Sequence, residues 1–202
     1  MTAWRRAALA LLAAVAPGLT QASEHPPLTP TREATVLYRA QGPRDQEPVS
    51  IRVHVSGGRI RVEPTSLPGY LIVDRDAGRV LVVMRQPHVY FETPTQSELV
   101  RDFLPSERMH FTRKGSERVA GLSCTVWDVQ APEGRSGQVC VTADGIVLRG
   151  QGQDPQYGRG SVEAVSVTYG PQSPGLFQPP AGYLRMNIPR LPTASGGARP
   201  AR

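Results

Sequence analysis

The most specific chemistry in this sequence belongs to its two cysteines, Cys124 and Cys140. Each sits in an apolar segment that reads as a strand, and between them Ala131-Pro132-Glu133-Gly134-Arg135 is rich in turn formers. Directly opposed residues in a non-hydrogen-bonded antiparallel pair lie about 4.5 Å apart at Cα, within reach of a disulfide. Setting Cys124 opposite Cys140 places Val126 opposite Gln138 and Asp128 opposite Ser136, with the loop near Pro132. A redox-active pair wants its cysteines close in sequence and a metal site wants further ligands. A structural disulfide is therefore expected, contributing about 3 kcal/mol in the chain-entropy model.

The other reactive side chains do not converge. His25, His54, His88 and His110 lie singly beside charged or aromatic neighbours, without metal-ligand spacing. Asp74-x-Asp76-x-Gly78 opens like a calcium loop but lacks the later ligands and closing Glu, so a hairpin turn is expected; Asp144-Gly145 reads as another turn. No G-x-S-x-G elbow, phosphate loop or dinucleotide fingerprint occurs. The expectation is a non-enzymatic protein with no cofactor, no catalytic residue and no metal.

The first residues bear on compartment. Arg5 and Arg6 precede the apolar run Ala7–Ala16, which breaks at Pro17-Gly18, and Thr20 and Ala22 put small side chains where a signal peptidase needs them. The run is about 10 residues, short of the roughly 20 that span a bilayer. Residues 1–22 are thus read as a cleaved signal, leaving an exported protein that starts at Ser23 and is not integral to the membrane. The formal charge is +6. The positive charges are scattered and almost all Arg, with Lys114 the only lysine. Nucleic-acid binding would call for a basic stripe or an aromatic-interleaved patch, so it is not expected.

The elements follow from turn chemistry and alternation. Residues 23–32, with three prolines, read as a flexible leader, and residues 187–202 as a low-complexity, disordered tail. Between them, residues 33–186 read as one β-rich domain. Thr35–Tyr38 opens a series of short strands. Ile51, Val53 and Val55 alternate with Arg52 and His54, Gly57-Gly58 turns the chain, and Ile60 and Val62 alternate on the return. Val89–Phe91, Met109–Thr112, Val119–Val129, Gly137–Leu148 and Val162–Tyr169 continue the series, and Phe177–Tyr183 closes it. Thr93-Pro94 reads as a helix start, with Leu99, Val100, Phe103 and Leu104 as the apolar side of a helix over 96–104. No alternating β-α-β pattern appears, so the sheet should be largely antiparallel.

One hairpin departs from alternation. Tyr70–Val73 and Val80–Met84 are apolar at successive positions, so both their faces must meet something apolar. The simplest cover is the helix over 96–104. The tail and a ligand are the others, and helix and ligand agree if the helix is a partial lid. The nominated ligand-lining residues are Leu71, Val73, Val80, Val82 and Met84, with Ile72, Leu81 and Val83 as the opposite choice of face.

Several stretches together resemble the periplasmic LolA/LolB-like superfamily, the lipoprotein-sorting-factor fold. They are Val53–Val55 with Gly57–Val62, Tyr70–Asp74 through Val80–Val82, Gly121–Val129 before Val139–Gly145, and Phe177-x-Pro179-Pro180-x-Gly182-Tyr183. The resemblance implies a mainly β fold, a bent antiparallel sheet (half-barrel) under a short helical cover, with an apolar cavity for acyl chains. It implies a periplasmic binding protein for a lipid, a lipoprotein or another apolar ligand. The alternative is an envelope protein-interaction or stress-sensing module on the same fold.

Overall fold

The Gly57-Gly58 turn behaves as its chemistry suggests. Gly57 takes a positive φ of 57°, which side-chain-bearing residues resist. It folds β2 (Val49–Ser56) back on β3 (Arg59–Pro64), with Val53 opposite Val62 and Val55 opposite Ile60. The next turn closes the same way: Asp74 Oδ1 accepts the Ala77 N–H at 3.0 Å, and Gly78 has φ 62°. That turn joins β4 (Gly69–Asp74) to β5 (Arg79–Met84), so the Asp74–Gly78 run is a hairpin turn.

In the computed structural model, residues 25–42, 47–94, 106–155 and 158–187 are described. The signal over 1–22, the helix expected over 96–104 and the tail beyond 187 lie outside them. The remaining strands are β1 (Ala34–Gln41), β6 (Val89–Pro94), β7 (His110–Val119), β8 (Leu122–Gln130), β9 (Ser136–Val141), β10 (Val147–Asp154), β11 (Gly158–Tyr169) and β12 (Leu184–Met186). All twelve join one open, curved sheet in the order β12-β6-β5-β4-β3-β2-β1-β11-β10-β9-β8-β7. Two antiparallel meanders, β1–β6 and β7–β11, therefore meet where β1 pairs with β11. The helical content of the described residues is two short 3₁₀ turns, Pro132–Gly134 and Pro174–Phe177.

Four expectations need correcting. Gly137–Leu148 is two strands parted by the Thr142–Ile146 turn, and Val119–Val129 contains the turn at Ala120-Gly121. Phe177–Tyr183 is not a strand; the closing strand is β12, which runs parallel to β6. The cysteines are joined, with Cα atoms 5.3 Å apart, but the register differs: Cys140 lies opposite Val126 and Gln138 opposite Asp128. The reason is a tighter loop. Ala131 N–H donates to Arg135 O at 2.9 Å, and Gly134 at φ 76° lets the chain reverse in five residues. Cys124 and Cys140 are thus a diagonal pair.

A large core cluster joins Ala34, Val36, Tyr38 and Val55 to Cys124, Val126, Cys140, Ile146, Leu148 and Ala164. The Tyr38 hydroxyl, pushed far above its ordinary pKa by burial, donates to Val147 O at 2.6 Å. Residues 25–32 form no strand but are anchored. Pro26 is fully buried, Arg75 donates to Leu28 O, and Thr31 N–H donates to Asp144 O at 2.9 Å. Arg32 stacks on Tyr169 at 3.8 Å.

Candidate functional site

The doubly apolar hairpin has two faces with different fates, and the registers separate them. Tyr70 pairs with Val83 and Ile72 with Leu81, putting these four on one face. Leu71 pairs with Val82 and Val73 with Val80, putting these on the other, and Met84 follows Val82 there by alternation. The five nominated residues therefore share a face.

The face of Tyr70, Ile72, Leu81 and Val83 is sealed by the C-terminal segment. Phe177 joins these four in one buried cluster, with Leu176, Tyr183 and Tyr90 packed at its margin. Arg61 stacks on the Tyr70 ring at 3.6 Å and donates to Leu176 O at 3.0 Å. Glu63 accepts from Arg61 and, at 3.3 Å, from Arg85. Burial raises the Tyr70 hydroxyl's pKa, against the opposing charge of Arg61.

The segment is latched where it leaves β11. Gly170 N–H donates to Glu33 O at 3.1 Å, and Gln172 N–H donates to Glu33 Oε2 at 2.7 Å. The Ser56 hydroxyl donates to the same carboxylate. These bonds, Ser56 first, then Gln172, with help from the Arg59 charge, hold the Glu33 carboxyl below its ordinary range. His54 Nδ1 lies 3.0 Å from Gln172 Oε1, so this histidine belongs to the latch.

The nominated face is built of straight rows. Phe91, Val82, Leu71, Val62 and Val53 are successive partners across β6 to β2, and every one is half-buried. Val36 continues this row on β1 and is fully buried. On one side of it, Val80, Val73, Ile60, Val55 and Ala34 form a second row, buried except for the half-exposed Ile60. On the other side Val89 faces Met84, and Met84 faces Gly69. A Cβ on Gly69 would come 2.4 Å from Val83 O, so only glycine fits there. No ionisable side chain stands in these rows.

Among the described residues no group of three or more His, Cys, Asp or Glu could hold a metal. No helix among them is long and apolar enough to cross a membrane. A groove of about 540 Å³ lies elsewhere, over β1 and β9–β11, lined by Gln41, Ser136, Gln138, Gln151, Arg159 and Ser161 among others. Its side chains are polar, set among glycines, and none of the five nominated residues lines it. Two features of the apolar site escape sequence reasoning: the seal by Phe177 and the position of β12.

The class of fold these residues build is a single open, curved, mainly antiparallel sheet. Among similar solved structures, an uncharacterised conserved protein from Thermus thermophilus superposes with a TM-score of 0.53 at 12% identity, over 78% of this chain and 91% of that one. A LolA superfamily protein from Nitrosomonas europaea gives 0.40 at 10% identity, over 75% and 91%. MucB in its complex with MucA from Pseudomonas aeruginosa gives 0.49 at 13%, over 75% of this chain but 56% of that one. At 12% identity the first of these is a likeness of fold alone. No protein-family model matches the chain, and no curated protein matches it significantly.

Proposed function

We propose that this chain is an exported, periplasmic, non-enzymatic binding protein whose β2–β6 face takes the acyl chain of a lipid or lipoprotein. The observation that carries this reading is the half-buried row Phe91–Val82–Leu71–Val62–Val53. Apolar side chains in unbroken register, left partly open on a face without charge, offer a hydrocarbon a place to lie. Each methylene buried there contributes about 0.8 kcal/mol, so a partly sequestered chain binds usefully. The disulfide suits an oxidising compartment. Protein recognition is the second reading, favoured by β7, an outermost strand of the sheet whose residues are nearly all exposed.

Two substitutions on adjacent residues test the acyl reading. Val82→Asp places a charge on the open row and should abolish co-purification of lipid while the domain still folds. Leu81→Asp places it beneath Phe177 and should unfold the protein, because an unpaired buried charge is intolerable there. Mass spectrometry of lipid extracted from protein purified from its native envelope, beside circular dichroism of both variants, reads the outcome. Native protein free of lipid, with no effect of Val82→Asp on lipid binding, would turn the assignment to protein recognition.

A further inference from the structure

Leu184 and Met186 are large apolar side chains held out in water, 68% and 46% exposed. Their strand, β12, has three residues and pairs in parallel with β6, Leu184 opposite Val89 and Met186 opposite Phe91. Paired residues of neighbouring strands point to the same side of the sheet. Met186 therefore extends the half-buried row by one strand, and Leu184 extends the neighbouring Val89–Met84 row. At the far end the main row runs into Val36, which is 0% exposed. Exposure thus rises from Val36 through the half-buried middle to Met186. The result is a straight apolar track, stopped at β1 and open at β12. Six strands at about 4.8 Å spacing make it about 24 Å long.

The geometry points to one long, unbranched acyl chain lying across the strands, with its methyl end at Val53, its polar head beyond β12, and Leu184 and Met186 as the rim of the site. This rests on the reading that the face takes an acyl chain, and it adds the direction, the outer wall and a single-chain amphiphile as the occupant. A peptide laid across the row would leave its amides without partners, whereas a hydrocarbon has none to satisfy. Strand addition directly onto Val89–Phe91 of β6 is blocked as well, because β12 already pairs there. The head cannot enter at Val36, where the row is sealed. Arg185, between the two rim residues, turns to the opposite face and pairs with Glu92 at 2.9 Å, so the rim itself is uncharged.

The test uses stearic acid carrying a nitroxide near its methyl end or near its carboxyl end, read on side-chain methyl NMR signals of the mature protein. The methyl-end label should broaden Val53 and Val62, and the carboxyl-end label Leu184 and Met186. Equal or reversed broadening overturns the direction. Lysophosphatidylglycerol, with one chain and a different head, should displace the labelled stearate; failure to compete overturns a head lying outside the site. The double variant Leu184→Asp, Met186→Asp should weaken stearate binding about tenfold with an unchanged melting temperature, since both side chains are exposed. Wild-type affinity in that variant, while Val82→Asp abolishes binding, overturns the rim and leaves the acyl-binding face standing. If wild-type protein binds no stearate, both fall together.

Discussion

The two meanders are halves of one sheet built on different rules. Across β2–β6 the ladders run without a register shift, so side chains line up in straight rows and each face has a single character. The β7–β11 half is interrupted at Arg113/Gly115 and Val147/Arg149, and β11 shifts against β1 at Leu37/Tyr38. Each bulge turns the local twist and breaks a row. That half is held by a covalent tie, Cys124–Cys140, and by the share of the large core that Val126, Ile146 and Leu148 supply. The lesson is that an extended apolar track needs unbroken register, and a half that supplies it must take its stability from a cover.

The sharpest way to break this comparison is to remove the cover. Phe177 is 5% exposed, and Phe177→Ala should lower stability by about 3–5 kcal/mol through lost burial and the cavity it leaves. Hydrogen exchange should place the loosening in β4 and β5, with the β8–β9 amides unchanged. Equal loosening in both halves would mean that they do not behave separately. Replacing both cysteines with Ser should cost about 2–5 kcal/mol, centred near 3, read by urea unfolding. It should leave lipid binding intact, because neither cysteine stands in the apolar rows. The smallest effect concerns the latch. The folded-state pKa of Glu33 is depressed, so its contribution is present above the ordinary carboxylate range and lost as pH falls through the lowered value. The Glu33→Gln melting temperature should therefore lie below wild type at neutral pH and converge with it in acid. A gap that persists in acid would assign the effect to packing.

Much of the β1–β6 half was legible because its signals are local. Gly57-Gly58 and Asp74–Gly78 dictate turns by their own backbone chemistry, and Val53 or Ile60 announces a strand by alternation. The polar strands were not legible. Arg113–Arg118, Arg149–Asp154 and Gly158–Ser161 carry no apolar period, and they are strands because their neighbours' backbone groups demand partners. The five nominated residues share a face, but a period of two leaves both faces equal until the partner strand is known. The Phe177 seal was hidden for a different reason: Pro174–Phe177 is a short turn in a Pro- and Gly-rich stretch, and its role depends on contacts far away in sequence. The disulfide was readable from composition and its register was not, since one tight loop shifts every pairing behind it.

The junction of β1 with β11 sets an order on how the domain can be assembled. Strands β1 to β6 are joined in sequence to their own neighbours, and so are β7 to β11, so each meander can zip from short loops. Ala34, however, must wait for Tyr169, its partner across the junction. In a chain that emerges from its N-terminus, one side of β1 stays unpaired until almost the whole domain has followed. Non-local pairings of this kind slow folding, because the connecting chain must be closed before the contact repays it. Val36 and Tyr38 at the centre of the finished core thus lie on the ladder that waits longest for its partner, and the residues most buried in the native state spend longest on an open edge.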